Sequence, residues 1–166
     1  MKHILLLFLA AIISMNAAAQ NADSLETKVE HVDSLNAKIE KLQHDLDFLS
    51  CKYELNKIVT DLSIGKDEVN SSSNAILINC YHSRYDRRLY RAYQEYLYSK
   101  RGWYDAIKDQ IESTITFVTL KMISSDFSEM EKDCIVSSIN VIDKAKSSFE
   151  QSLDYYETVL DIYRGL

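Results

Sequence analysis

The chain contains three glycines and no proline among its 166 residues, and this scarcity limits the folds that it can adopt. Tight hairpin turns and phosphate-binding loops need glycine where φ is positive or where a ligand approaches the backbone closely. Sandwiches and barrels contain many such turns, so the composition disfavours these classes, and it excludes collagen-like and proline-rich disordered chains. The composition therefore predicts an all-α protein built from long helices with few connections.

The N-terminal segment is typical of a secretory signal peptide. A short basic start at residues 1–3 precedes an apolar run at residues 4–13, and the alanines at 17–19 provide small side chains at the cleavage position. The apolar run is shorter than the roughly 20 residues that span a bilayer, and no cysteine follows the cleavage position to carry a lipid anchor. We predict a signal peptide at residues 1–19, a periplasmic or secreted product, and no transmembrane segment after cleavage.

Start and stop signals divide the rest of the chain into four predicted helices. Asp23 and Glu26 have the spacing of a capping box at the first start, and Asp126 and Glu129 have it at the fourth. Glycines that can adopt the left-handed conformation lie just past predicted ends, at Gly65, Gly102 and Gly165. The predicted spans are about 23–62, from between 67 and 74 to 101, about 103–123, and 126–164. The prediction is a four-helix bundle of long antiparallel helices.

Apolar side chains recur at helical spacing in the last three predicted helices, which predicts a buried face on each. On the second helix they are Ile78, Tyr81, Tyr85, Leu89, Ala92, Tyr93 and Tyr96. On the third they are Tyr104, Ile107, Ile111, Ile115, Val118 and Met122. On the fourth they are Ile135, Ile142, Ala145, Phe149, Leu153, Tyr156, Leu160 and Tyr163.

The first predicted helix begins with a narrow apolar seam whose steps mostly alternate between four and three residues, as in a coiled coil. The seam consists of Leu25, Val29, Val32, Leu35, Ile39, Leu42, Leu46 and Leu49. A ten-residue repeat leaves two heptad frames open. One frame contains a local three-residue step from Val32 to Leu35, and the other places Lys28 in the seam.

A second and wider stripe begins further along the same helix. It consists of Phe48, Cys51, Leu55, Ile58 and Leu62, widened by Tyr53 and Val59. A narrow seam suits a single partner helix, whereas a broad apolar face suits burial in a bundle. We predict that residues 20–47 extend as a coiled-coil arm that dimerises, and that residues 48–166 form the bundle domain. Packing of the arm along the fourth helix is the alternative.

Arginine is unevenly distributed, since five of the six arginines lie between residues 84 and 101. Four of them share one helix face away from the apolar stripe, and two tyrosines lie near that face. These six residues are Arg84, Arg87, Arg88, Arg91, Tyr90 and Tyr98. Because guanidinium groups bind phosphate and carboxylate groups well, the six residues are a candidate site for an anionic ligand or partner. The alternative is that acidic side chains of the fourth helix pair with these arginines inside the fold.

The three cysteines, Cys51, Cys80 and Cys134, lie far apart in sequence and form no Cys-x-x-Cys motif. An exported chain meets an oxidising compartment, so one disulfide with one thiol left over is one interpretation. Three small apolar side chains without a disulfide are the other. The sequence does not choose between them, and it does not say which two would pair.

Catalytic and metal-binding motifs are missing from the sequence. It contains no Glu-x-x-His, no His-Glu-x-x-His and no Gly-x-Ser-x-Gly. We therefore predict no enzyme activity, no cofactor and no metal, and the net charge of −6 disfavours nucleic acid as a partner. The leading hypothesis is an exported interaction protein that acts through coiled-coil self-association or partner binding in the cell envelope. The alternative is a ligand-binding or sensor-like bundle that recognises an anionic ligand through its Arg/Tyr face.

Overall fold

The structure, a computed structural model, describes residues 2–82 and 85–165, with side chains described at Val29 and from His31 onward. Three helices make up nearly all of it: α1 (Lys2–His82), α2 (Arg87–Ser124) and α3 (Glu129–Arg164). Residues 2–82 and 85–165 contain no strand. The predicted all-α class is confirmed.

The prediction of four helices is wrong, because two glycines that we took for helix ends lie inside helices. α1 continues through Gly65 to His82, and α2 continues through Gly102. No glycine in the described part of the chain has positive φ. A glycine costs a helix only about 1 kcal/mol relative to alanine, so it permits a stop without imposing one.

The chain reverses direction before Asp86, which caps α2. The Asp86 carboxylate accepts hydrogen bonds from the backbone N–H groups of Arg88 (2.7 Å) and Leu89 (3.3 Å). These bonds satisfy two of the amides that a helix start leaves without a backbone partner. The break between the first two helices therefore lies just before an acidic capping residue, and α1 ends about twenty residues later than predicted.

The start of α3 also differs from the prediction, by two residues. The capping box is formed by Ser128 and Glu131 and not by Asp126 and Glu129. The Glu131 carboxylate accepts from the Ser128 N–H at 2.9 Å, and the Ser128 hydroxyl oxygen accepts from the Glu131 N–H at 3.4 Å. Phe127, just before the cap, is buried, so the core anchors the chain at the residue that precedes the box.

The chain divides into two compact units, Met1–Asp45 and Leu46–Leu166. The first unit is the N-terminal part of α1. In the second unit, the rest of α1 packs with α2 and α3, each helix is about 55 Å long, and α2 runs antiparallel to both of the others. The α1–α2 pair is joined by hydrogen bonds from Asn79 to Tyr93 and from Lys121 to Asp47, and the order of these partners shows that the two helices run in opposite directions.

The α2–α3 pair is antiparallel by the same criterion. Arg101 donates to Glu157 at 2.6 Å, and the ring of Trp103 lies 5.3 Å from that of Phe149. Moving forward along α2 therefore means moving backward along α3.

The core of the second unit follows a heptad pattern on all three helices, as in a coiled-coil bundle. Buried apolar side chains of α1 are Cys51, Leu55, Ile58, Leu62, Val69 and Ile76. Buried α2 residues include Tyr104, Ile107, Ile111 and Val118, and buried α3 residues include Ile135, Ile142, Phe149, Tyr156 and Tyr163. The stripes predicted for the third and fourth helices and for the second half of the first are confirmed at these positions.

Part of the stripe predicted for the second helix is wrong. Ile78 and Tyr81 are 58% and 86% exposed, because this segment belongs to α1, whose heptad pattern buries Ile76 instead. Tyr85 and Ala92 are also exposed. Three other members of that stripe are half-buried against the core: Leu89, Tyr93 and Tyr96.

Candidate functional site

Two surfaces bring together residues that the sequence singled out, and the first is a row of apolar side chains on α1. Each of its described members is between 44% and 68% exposed. They are Val29, Val32, Leu35, Ile39, Leu42, Leu46 and Leu49. The side chain of Leu25 lies outside the described residues. We call these seven residues the α1 seam.

α1 carries a second stripe, offset from the seam by two residues, that is buried. Leu46 and Leu49 are exposed, while Cys51 and Leu55 are fully buried. α1 therefore carries two apolar faces at heptad spacing. α2 and α3 cover the face that contains Cys51 and Leu55, and the seam stays exposed. Tyr53, which we predicted would widen the buried face, is instead 66% exposed.

The bundle is held firmly at the point where its buried stripe begins. The Asp47 carboxylate accepts hydrogen bonds from the Lys121 ammonium at 2.9 Å and from the Ser125 hydroxyl at 3.0 Å. Next to it, the Phe48 ring meets the Phe127 ring edge to face, with centroids 5.9 Å apart. Both contacts tie α1 to the last turn of α2 and to the segment that connects α2 to α3.

The second surface is the arginine face at the start of α2. Arg87, Arg88 and Arg91 are exposed, and no carboxylate of residues 31–82 or 85–165 lies within ion-pairing distance of their guanidinium groups. Arg84 lies outside the described residues. We call Arg87, Arg88 and Arg91 the arginine face.

Acidic residues of α3 pair with other groups. Glu157 accepts from Arg101, and Glu150 accepts from the Tyr104 hydroxyl at 2.7 Å. Burial and this hydrogen bond raise the pKa of Tyr104 above its ordinary value. The alternative in which acidic groups of the last helix neutralise the arginine face within one chain therefore has no contact among the described residues to support it.

The two candidate tyrosines line a cleft of about 190 Å³ between α2 and α3. Its walls include Tyr90, Gln94, Tyr98, Arg101, Glu157 and Arg164. Tyr98 is exposed, whereas Tyr90 is half-buried and its hydroxyl oxygen accepts from the Gln94 side chain at 3.2 Å. Two arginines and two carboxylates, counting Asp161, make the charge of the cleft nearly balanced.

Stacked tyrosines support this end of the bundle. The Tyr163 ring is fully buried and lies 5.8 Å from Tyr85 and 5.9 Å from Tyr93. The Tyr156 hydroxyl donates to the Tyr93 carbonyl oxygen at 3.1 Å, and burial raises the pKa of Tyr156. The Tyr156 phenol therefore stays neutral at physiological pH and acts as a hydrogen-bond donor, while the stacked rings pack this end of the bundle.

A groove between α1 and α2 is a feature that sequence reasoning missed. It measures about 720 Å³ and is lined by residues that include Ile64, Glu68 and Lys100. Lys100 pairs with Glu68, and its ammonium lies 5.6 Å from the ring centroids of both Tyr96 and Trp103. No local sequence signal marks this arrangement, because Glu68 lies on α1 and Lys100 lies on α2, more than thirty residues further along the chain.

The three cysteines are free thiols. Cys51 is fully buried, and burial, together with the nearby Asp47 carboxylate, raises the pKa of its thiol. Burial also raises the pKa of Cys80. A raised pKa lowers the fraction of reactive thiolate at neutral pH.

Among the described residues, no group of three or more His, Cys, Asp or Glu side chains is placed to hold a metal ion. In the same part of the chain, no helix is both long and apolar enough to cross a membrane.

Compared with known proteins, the chain matches no family model, no curated protein and no solved structure.

Proposed function

We propose that this protein is exported and acts without catalysis, as a helical interaction protein in the cell envelope that binds its partner through the α1 seam. The observation that carries this proposal is the exposure of seven apolar side chains at coiled-coil spacing on one helix. Single exposed apolar residues are ordinary on protein surfaces. A regular row of them on one helix face is the pattern that a partner helix covers.

The exposed area supports the same proposal. Seven aliphatic side chains that are about half exposed present roughly 700 Å² to solvent, which is close to the roughly 800 Å² that each partner buries in a standard interface. Apolar patches of this size on soluble proteins often mark interaction sites. Burial of this area on binding provides the driving force.

The test places two charges in the seam. We expect the double variant Ile39→Lys/Leu42→Lys to lose seam-dependent binding, because a lysine within an apolar interface must be desolvated. The matched control, Ser34→Lys/Ala37→Lys, adds the same charge at two exposed positions outside the seam. The mature full-length forms are used to capture proteins from the envelope fraction, and the captured proteins are identified by mass spectrometry.

A protein or second copy that is retained by the wild type and the control and lost by the seam variant would support the proposal. Equal recovery with all three forms would overturn it, since the bound material would then not depend on the seam.

The arginine face favours a second candidate function, recognition of an anionic ligand. Three exposed guanidinium groups without a carboxylate partner in the described chain leave charge available for phosphate or carboxylate groups. Tyr98 offers an exposed ring nearby. A ligand bound there would stabilise the folded state by mass action.

The test of this second candidate uses lipopolysaccharide as the probe. We expect it to raise the melting temperature of the wild type and to have a much smaller effect on Arg87→Ala/Arg88→Ala/Arg91→Ala. The control Lys41→Ala/Lys144→Ala/Lys146→Ala removes the same charge elsewhere. Equal shifts in the arginine variant and the wild type would eliminate the arginine face as the site.

A further inference from the structure

We propose that the partner of the α1 seam is a second copy of this chain, and that the two α1 helices pair as a parallel, in-register, two-stranded coiled coil over residues 32–53. This inference rests on the proposed function, because it names the partner of the same seam. It is carried by the residue types at each heptad position, by the extent of the exposed face and by the residues that end it.

One heptad frame fits this part of α1 without interruption. With Val32 at position a, the a positions hold Val32, Ile39, Leu46 and Tyr53, and the d positions hold Leu35, Leu42 and Leu49. All seven side chains are exposed by 44–68%. Six of them belong to the α1 seam as defined above; Tyr53 is added, and Val29 falls at an e position of this frame. The frame explains why Tyr53 is exposed, since it occupies the next a position of the seam and not the buried stripe.

The identity of these residues favours two strands in a parallel arrangement. β-Branched residues at a combined with leucine at d favour two-stranded parallel coiled coils over higher oligomers. Here two of the four a positions are β-branched, and every d position between residues 35 and 49 is leucine. For helices that run parallel, the residue pattern therefore favours two strands over higher oligomers.

The ends of the seam select the register. Parallel in-register pairing places each of the seven residues opposite its own copy, so each meets an apolar side chain. In an antiparallel pair, the a positions of one helix lie opposite the d positions of the other. The alignments with the longest overlap then place Lys28 opposite Leu46, Lys28 opposite Tyr53, or Asn56 opposite Val32. In the same frame, the positions after Tyr53 are polar: Asn56, Thr60 and Ser63.

Residues that flank the seam are compatible with this register. In a parallel pair, each g residue faces the e residue of the next heptad on the partner. Lys38 then faces Gln43, and Asp45 faces Ser50. Neither of these pairs opposes like charges; the next pair in the frame, Lys52 and Lys57, does so at the end of the proposed coil.

The experiment traps the register with disulfides in the mature full-length chain. The background carries Cys80→Ser and Cys134→Ser and keeps the buried Cys51. Leu35→Cys and Leu49→Cys are added singly, at d positions near the two ends of the seam. Ala37→Cys, on the opposite face of the same helix, is the matched control.

Under mild oxidation we expect each d-position variant to form a covalent dimer with itself, roughly a hundredfold faster than Ala37→Cys, because pairing brings the two thiols to an effective concentration in the millimolar range. Sedimentation of the unmodified chain is measured in parallel. A dimer in which neither variant crosslinks to itself would overturn the parallel register. A monomer would overturn the second copy as the partner, and seam-dependent capture of a different protein would then leave the proposed function standing.

Discussion

Replacement of Phe149 by alanine is expected to lower the free energy of unfolding by about 3–5 kcal/mol, the usual cost of removing a buried aromatic ring. Phe149 is fully buried, and its ring lies 4.9 Å from Tyr104 and 5.3 Å from Trp103. Long helices cannot collapse easily around the resulting cavity, because core residues above and below hold the interhelical distance. Urea unfolding followed by circular dichroism measures the change.

Tyr155→Ala is the matched control on the same helix. Tyr155 is 46% exposed, so its truncation removes much less buried area, and we expect a change within about 1 kcal/mol. If the two substitutions had equal effects, the packing of α3 against α2 would differ from that described above.

The substitutions Gly65→Ala and Gly102→Ala are expected to change the free energy of unfolding in opposite directions. A Cβ atom at Gly65 would lie 2.7 Å from two ring carbons of Trp103 and 3.0 Å from the Phe149 ring, whereas a Cβ atom at Gly102 would have no atom within 4 Å. Overpacking at Gly65 should lower the free energy of unfolding by about 1–3 kcal/mol. At Gly102, better helix propensity should raise it by about 0.5–1 kcal/mol.

The opposite signs make this pair a test of helix continuity. If α2 ended before Gly102 with that glycine in the left-handed conformation, alanine there would destabilise the protein. A loss of stability in Gly102→Ala would therefore contradict a continuous α2. Thermal and chemical unfolding of both variants under the same conditions measures the signs.

The stripes of α3 were predictable because heptad spacing is a local signal. Ile135, Ile142, Phe149, Tyr156 and Tyr163 follow one another at seven-residue intervals, and all five are fully buried. A residue that recurs at the period of two helical turns faces the same direction wherever the helix packs. No knowledge of its neighbours is required.

The helix ends were not predictable in the same way, because their signals are ambiguous without tertiary contacts. Gly65 has the residue type of a helix stop, but the structure uses its missing side chain to admit Trp103. This partner lies 38 residues further along the chain, so a local pattern does not reveal it. At the start of α3, two pairs with capping-box spacing lie two residues apart, and the burial of Phe127 selects the later pair.

The break before α2 was hidden by a continuous apolar pattern. Tyr81, Tyr85, Leu89 and Ala92 follow helical spacing across it, which favours an unbroken helix. Asp86 nevertheless caps a new helix within this run. Asp86 caps the helix through hydrogen bonds from two backbone N–H groups, and the spacing of apolar residues gives no information about such bonds.

The candidate surfaces differ in how much the sequence could say about them. The α1 seam depends only on spacing along one helix, and its described members are all exposed. Tyr53 required the fold, because it fits the edge of the buried stripe as well as the next seam position. The pairing of charges near the arginine face could not be predicted from the sequence either, because the ion pair between Arg101 and Glu157 depends on how α2 and α3 align.

The most direct test of two separate roles for α1 applies one substitution to each stripe and measures sedimentation together with helical content. Ile39 is 62% exposed in the seam, and Ile58 is fully buried in the bundle. We expect the wild type to sediment as a dimer and Ile39→Lys as a folded monomer, while Ile58→Lys loses the folded bundle because its charge has no partner in the core. A wild type that sediments as a monomer, or an Ile39→Lys variant that remains a dimer, would contradict the assignment of the seam to self-association.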